Sequence, residues 1–185
     1  MKNIFDHLQS ISTGKLVLVL FAITNLVYGT ILAYSIPLVL GFSPDAILFD
    51  MSPAGYSFVQ AMELLQALGS DGRHAYLTVQ LPIDFVYPGL FAVSYAILLI
   101  WVFKKVCAQD SNLYWLACVP VLAGLFDYLE NVSIIMMINR FPELSEGLVS
   151  LASGFTIVKS VLTTLFFVIL ISALIAWAVK PVRKR

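Results

Sequence analysis

Charge is what this chain of 185 residues has least of. Lys, Arg, Asp and Glu together make up 12% of it, while hydrophobic residues make up 60%. An ordinary soluble domain carries about 25% charged residues. A chain with half that share and a mean hydropathy of +0.92 cannot clothe a water-facing surface, so the soluble globular classes are excluded. Cysteine is scarce too: Cys107 and Cys118 stand alone, without a CxxC spacing, which excludes a disulfide framework and a thiolate metal site. With only two histidines, the in-span acids do not make a zinc site, and no metal or cofactor is expected. Eleven basic and eleven acidic residues balance, leaving no electrostatic support for a nucleic-acid partner. No GxSxG elbow, P-loop, dinucleotide fingerprint or internal repeat is present.

What remains is apolar runs. A helix crossing the bilayer core needs about 20 apolar residues. Four stretches qualify, at about 16–40, 81–103, 113–138 and 148–179. They are continuous rather than alternating, so they are helices and not barrel strands. The expectation is a single all-α membrane domain over 1–185, a polytopic four-transmembrane-helix bundle. The first span is too long for a signal-peptide core and lacks a small-residue cleavage site, so it is read as retained. Neither end carries a lipidation signal.

The flanks set the orientation. With four spans both termini share a side, and that side holds Lys2, Lys15, Lys104, Lys105, Lys180, Arg183, Lys184 and Arg185, against Arg73 and Arg140 on the other. The positive-inside rule then makes both termini cytoplasmic. Short loops and the lack of sorting signals suit a bacterial inner membrane. The tail "KPVRKR" serves as a topology anchor and is also able to touch anionic headgroups. Trp101, Trp115 and Trp177 fall near the inner ends of three spans, as an aromatic belt does.

The outer loop, about 41–80, opens with the turn residues "GFSPD" and "MSPAG". It continues as an amphipathic helix with Phe58, Met62 and Leu65 on one face and Gly69 as its C-cap. This helix is placed on the membrane surface or over the bundle. A second short helix, "DGRHAYLTVQ", leads into the second span.

Polar residues inside the spans are the main clue to function. Charge at the bilayer centre is costly and needs a partner or a wet cavity. On the third span Asp127, Glu130 and Asn131 share a face. At a rise of about 1.5 Å per residue, Asp127 and Glu130 lie roughly 18 and 13 Å below the outer edge, and Lys159 of the fourth span roughly 16 Å below it. The one lysine inside any span therefore matches the acids in depth. Asp84 and Tyr87 share a face of the second span, near its outer start, with Pro88 beside them. Thr156, Lys159, Ser160 and Thr163 form a polar face on the fourth span, and Asn25, Tyr28, Gly29 and Ser35 one on the first. Pointing these stripes inward gives a polar pocket in the outer half of the bundle, with Arg73, Tyr76 and His74 placed to close its top. A structural role alone competes with this reading. Buried ion pairs fix helix register, Ser and Thr stripes glue helices together, and a lone histidine is usually a surface side chain.

Two resemblances follow. The pattern Gly72-Arg73-x-x-Tyr76, Asp84-x-x-Tyr87-Pro88 and Asp127-x-x-Glu130-Asn131 resembles small, uncharacterised four-helix bacterial integral membrane proteins, a likeness that covers most of the chain and implies no activity. The layout of one span, a long loop and three further spans with intramembrane acids is also similar to the EXPERA group of sterol isomerases and the sigma-2 receptor. That resemblance implies a pocket for an amphiphilic amine or sterol-like ligand, with Asp84 and Asp127/Glu130 as its acids. The intramembrane Lys159 departs from that group.

The leading functional expectation is binding of a lipid or other amphiphile, its head near Asp84, Asp127, Glu130, Asn131 and Lys159, with Arg73, Tyr76 and Tyr87 as further contacts. The alternative is a membrane-embedded isomerase or cyclase using Asp127 and Glu130 as acid and base. Proton- or ion-coupled transport, and a place in a homo-oligomer or larger membrane complex, are the remaining readings. Membrane lipids are the expected partners in every case.

Overall fold

The computed structural model describes residues 2–180 and is built from helices. The tail residues Arg183, Lys184 and Arg185, and the headgroup contact expected of them, lie outside the described residues. Helix α1 runs Lys2–Ile11. The first span, α2, runs Gly14–Leu40 and is capped at its start by Thr13, whose hydroxyl accepts from the Leu16 N–H. A short 3₁₀ turn, Phe49–Met51, interrupts the loop that follows. Helix α3, Phe58–Ala75, passes through a further turn into α4, Tyr87–Val106. A 3₁₀ segment, Asn112–Ala117, leads into α5, Cys118–Arg140, and α6 closes the chain at Glu146–Ala178. Four helical stretches are long and apolar enough to cross a membrane, so the chain is an all-α, multi-pass four-helix bundle.

Helices α5 and α6 share the largest interface, α4 lies against both, and α2 packs on α4 at the edge. Leu18, Leu26, Val161, Val168, Ile171 and Ile175 point outward. In lipid, burying such residues brings no hydrophobic gain, so close packing and interhelical hydrogen bonds must hold the bundle together. Two apolar clusters supply the packing. One, toward the 41–57 loop, includes Leu48, Phe49, Leu65, Tyr76, Ile134, Met137 and Ala152. The other, toward the termini, is built on Phe91, Tyr95 and Phe166, with ring centroids 4.7–5.6 Å apart. The buried carboxyls of α5 fall between them in the chain, after Ala123 and before Ile134.

The loop helix and the second span form one helical run broken in identifiable places, where the sequence predicts a loop helix ended at Gly69 and a second short helix leading into the span. Gly69 sits at φ 64°, ψ −174°, which only glycine adopts readily, and it bends α3 rather than ending it. Around that bend α3 buries Ala61, Leu64, Leu65 and Leu68, a stripe shifted from the predicted Phe58, Met62 and Leu65. It packs over the loop end of the bundle, against the end of α2 and the start of α6. Two π turns, Ile31–Ser35 in α2 and Tyr76–Gln80 after α3, each come immediately before an X-Pro pair, Ile36-Pro37 and Leu81-Pro82. A proline ring collides with the carbonyl four residues back, and the wider turn relieves that collision. The two π turns touch each other.

At the opposite end, α1 is an element that the sequence reading did not include. Lys104 Nζ donates to the carbonyls of Gln9 (2.6 Å) and Ser12 (3.0 Å), which ties the end of α1 to the end of α4.

Candidate functional site

The site begins with Lys159. Its Nζ pairs with Asp127 Oδ1 at 3.4 Å and with Glu130 Oε2, so the lysine of α6 meets both acids of α5 as the depth match requires. Glu130 is fully buried; its other oxygen, Oε1, accepts from Thr156 Oγ1 at 2.7 Å. Thr156 and Lys159 are neighbours on one face of α6, and Asp127, Glu130 and Asn131 on one face of α5, so the contact follows directly from helical periodicity.

Asp84 is buried at the end of a short helical piece, Leu81–Asp84, and lies within electrostatic reach of Asp127, Lys159 and Asn131. Pro88, four residues on, removes the helical bond to the Asp84 carbonyl, and the chain turns at Phe85–Val86 before α4 resumes. Asn131 has no exposure; its side-chain amide lies toward the Asp84 carboxyl and meets no other hydrogen-bond partner among the described residues. Leaving the Oδ1 acceptor of such a buried amide unpaired costs about 1–3 kcal/mol.

A fourth acid enters from the loop. Asp50, in the 3₁₀ turn, accepts from Tyr76 Oη at Oδ1 (3.0 Å) and from Gln80 Nε2 at Oδ2 (3.0 Å). Gln80 Oε1 in turn accepts from Ser35 Oγ at 2.5 Å. Ser35, Tyr76 and Gln80 all belong to the two π turns, so the helix irregularities present the donors that hold this carboxylate. Burial pushes the Asp50 carboxyl above the usual aspartate range, and Lys159, Tyr76 and Gln80 pull it partway back. The sequence reading overlooked Asp50 because it lies in a loop; the spacing of Ser35 and Gln80 before their prolines is the signal that would have pointed to a polar site there.

The loop packs onto α6 beside Asp50. The Tyr56 N–H donates to Ser153 Oγ at 2.8 Å, and Gly55, at φ 81°, leaves no room there for a side chain. The Phe49 and Tyr56 rings lie 4.7 Å apart, and burial holds the Tyr56 phenol well above its ordinary range. Its hydroxyl is buried, with Thr156 within hydrogen-bonding reach. These rings form part of the wall of a cleft of about 390 Å³ between loop and α3, which Asp45, Gln60 and Glu63 also line.

The other predicted residues divide. Tyr76 joins the site through Asp50. Tyr87 is half-buried, stacked on Tyr28 at 5.2 Å, and within electrostatic reach of Asp84 and Asp127. Arg73 does not join. Its Nη1 donates to the Leu65 carbonyl at 2.6 Å across the Gly69 bend, and its guanidinium lies over the Phe141 ring at 4.5 Å. The bend brings the Leu65 carbonyl within reach, so the guanidinium braces α3 instead of closing the pocket. His74 is exposed. The stripe on α2 acts mainly in helix contacts: Thr24 and Ser94 share a buried hydrogen bond of 2.6 Å, and Asn25 reaches Tyr95 Oη at 3.4 Å.

Two carboxyls thus pair with one ammonium, and two more, Asp50 and Asp84, are buried within electrostatic reach of it. Among the described residues no group of His, Cys, Asp and Glu has the geometry of a metal site. No family model, curated protein or solved structure matches the chain.

Proposed function

We propose that this multi-pass protein binds an amphiphilic small molecule with a cationic head, which sits among Asp50, Asp84, Asp127, Glu130 and Asn131 while its tail runs between the helices. The observation that carries this reading is the charge count. Asp50, Asp84, Asp127 and Glu130 can hold four negative charges against the single positive charge of Lys159. A low-dielectric interior does not sustain such an excess, so bound protons or a cationic guest must balance it. The buried Asn131 amide beside Asp84 offers a guest its Oδ1 as an acceptor. Intramembrane acids in a four-span bundle are also the arrangement that the EXPERA resemblance implies for an amphiphilic amine. Binding is favoured over acid–base catalysis by Asp127 and Glu130, because Lys159 holds both residues and Thr156 takes the remaining Glu130 oxygen. The bias of basic residues toward the termini end supports the reading that both termini are cytoplasmic, and short loops without sorting signals support a bacterial inner membrane; the cleft beside Phe49 and Tyr56 then faces the outer side.

The test is binding of a fluorescent long-chain alkylamine to the protein in lipid nanodiscs. Saturable binding should weaken at least tenfold in Asp84→Asn and Asn131→Leu, in line with the loss of a charged hydrogen bond worth about 1.5–3 kcal/mol. Binding that is absent, or indifferent to both substitutions in folded protein, refutes the proposal.

A further inference from the structure

A second cleft lies at the opposite end of the bundle and is independent of the carboxyl cluster. It measures about 500 Å³ and opens between α1 and the 107–115 segment. Phe5, Tyr114 and Trp115 supply its aromatic wall, with Phe5 edge-on to Trp115 at 4.9 Å and 6.4 Å from Tyr114. Asp6 lines it from α1 and Asp110 from the loop. No described lysine or arginine pairs with either carboxylate. Three lysines at this end of the bundle are committed elsewhere: Lys104 to the end of α1, Lys105 over the Trp101 ring at 5.5 Å, and Lys180 to the Lys105 carbonyl.

The cleft is also held in shape. Gln9 Nε2 donates to the Gln109 carbonyl at 3.1 Å, Lys104 clamps the carbonyls of Gln9 and Ser12, and Ser111 Oγ caps the 3₁₀ segment by accepting from Leu113 N. Tyr114 is 2% exposed and lines the cleft, and its hydroxyl makes no hydrogen bond to a described residue. Aromatic faces and two carboxylates, neither paired with a described base, around a largely apolar cleft form the recognition chemistry of an alkylammonium group. Trp101 and Trp177, edge to face at 5.4 Å, mark the same end of the bundle and belong to the residue type that populates membrane interfaces.

We propose that this cleft binds an alkylammonium group, with Asp6 and Asp110 as counter-charges, Phe5 and Trp115 as aromatic contacts, and the Tyr114 hydroxyl as an orienting group. The group is carried either by the head of a zwitterionic phospholipid or by a free amine. The experiment titrates radiolabelled choline against full-length protein in phosphatidylglycerol nanodiscs. In parallel, native mass spectrometry follows lipid retention from nanodiscs of mixed phosphatidylethanolamine and phosphatidylglycerol. Choline should saturate at one per chain, with affinity at least fivefold weaker in Asp110→Asn, in Asp6→Asn and in Trp115→Leu, each checked for a native elution profile. Preferential retention of phosphatidylethanolamine that is lost in Asp110→Asn assigns the group to a lipid head; choline binding without that preference assigns it to a free amine. The proposal falls if neither choline nor phosphatidylethanolamine is held. It also falls if binding survives all three substitutions, or if it is lost in Asp84→Asn while Asp110→Asn retains it, because the amine then sits in the carboxyl cluster.

Discussion

Replacing Lys159 by Met is the sharpest test of the charge arrangement. Met keeps most of the side-chain volume and removes the ammonium. Asp127 and Glu130 then lose the one cation paired with them, and Asp50 loses a favourable charge within reach. Removing one partner of a buried ion pair costs about 3–5 kcal/mol, because the remaining charge stays buried and uncompensated. For a chain of this size each kcal/mol moves the melting temperature by about 2–4 °C, so the expected loss is about 6–20 °C. The assay is thermal unfolding in mild detergent, followed through intrinsic tryptophan fluorescence. Two further measurements separate charge from packing. Lowering the pH supplies protons to the orphaned carboxyls and should narrow the gap between Lys159→Met and the parent. Adding Glu130→Gln should recover part of the loss, as expected for residues in one network. A Lys159→Met protein that melts within about 2 °C of the parent at neutral pH, or a deficit unchanged by both pH and Glu130→Gln, refutes the argument that electrostatics governs the site.

The remaining predictions concern the parts that hold the site. Asp50 has its folded-state pKa raised above the ordinary 3.8, so the folded protein binds this proton more tightly than the unfolded chain does. Its contribution is fully present below the ordinary aspartate range and is lost as pH rises through the raised value; Asp50→Asn should therefore flatten the fall in melting temperature from about pH 4 upward, and a profile parallel to the parent's would contradict the assignment. Ser35→Ala strands Gln80 Oε1 and should destabilise the protein by about 1–3 kcal/mol, whereas Ser35→Ala combined with Gln80→Leu should cost less than the two single substitutions added together, as a double-mutant cycle would measure. Gly69→Ala meets no neighbour within 4 Å, so its cost is backbone strain alone, about 1–3 kcal/mol; proteolysis at the α3 bend should increase, and unaltered cleavage would show that the bend is not needed.

The fold was legible because a membrane leaves few options. Every apolar run long enough to cross it had to be a helix, and the four observed spans follow the four runs closely. The pairing of Lys159 with Asp127 and Glu130 was legible for the same reason, since residue count converts to depth along a straight helix. What escaped lay in the segments where that conversion fails. Helix α1 is short and too polar to register as a span, and its place depends on Lys104 far along the chain. Arg73 was misplaced because the sequence reading ended the loop helix at Gly69, whereas the bend folds the guanidinium back onto the Leu65 carbonyl. Asp50 lies in a loop, where no periodicity tells which way a side chain points.

The breaks and the charges belong to one arrangement. Each proline-linked interruption in the loop half of the bundle sits beside a member of the polar network: Pro37 follows Ser35, Pro82 follows Gln80, and Pro88 lies one turn after Asp84. Within lipid, backbone that leaves the regular helix must have its freed groups satisfied by protein or by a wet cavity, so irregular turns are tolerated where polar side chains gather. The reverse also holds. A straight helix presents side chains to its neighbour only along a fixed stripe, and the two π turns place Ser35, Tyr76 and Gln80 together at one loop carboxylate. Replacing Pro37 and Pro82 with Ala removes the collisions that accompany those turns. If the turns then relax to regular helix, Asp50 should lose its donors and the loop should be cleaved faster by added protease, while the Lys159 contacts one layer deeper stay in place. Protection of the loop unchanged in the double variant would show that packing of Phe49 and Tyr56, and not the prolines, holds Asp50 at the cluster.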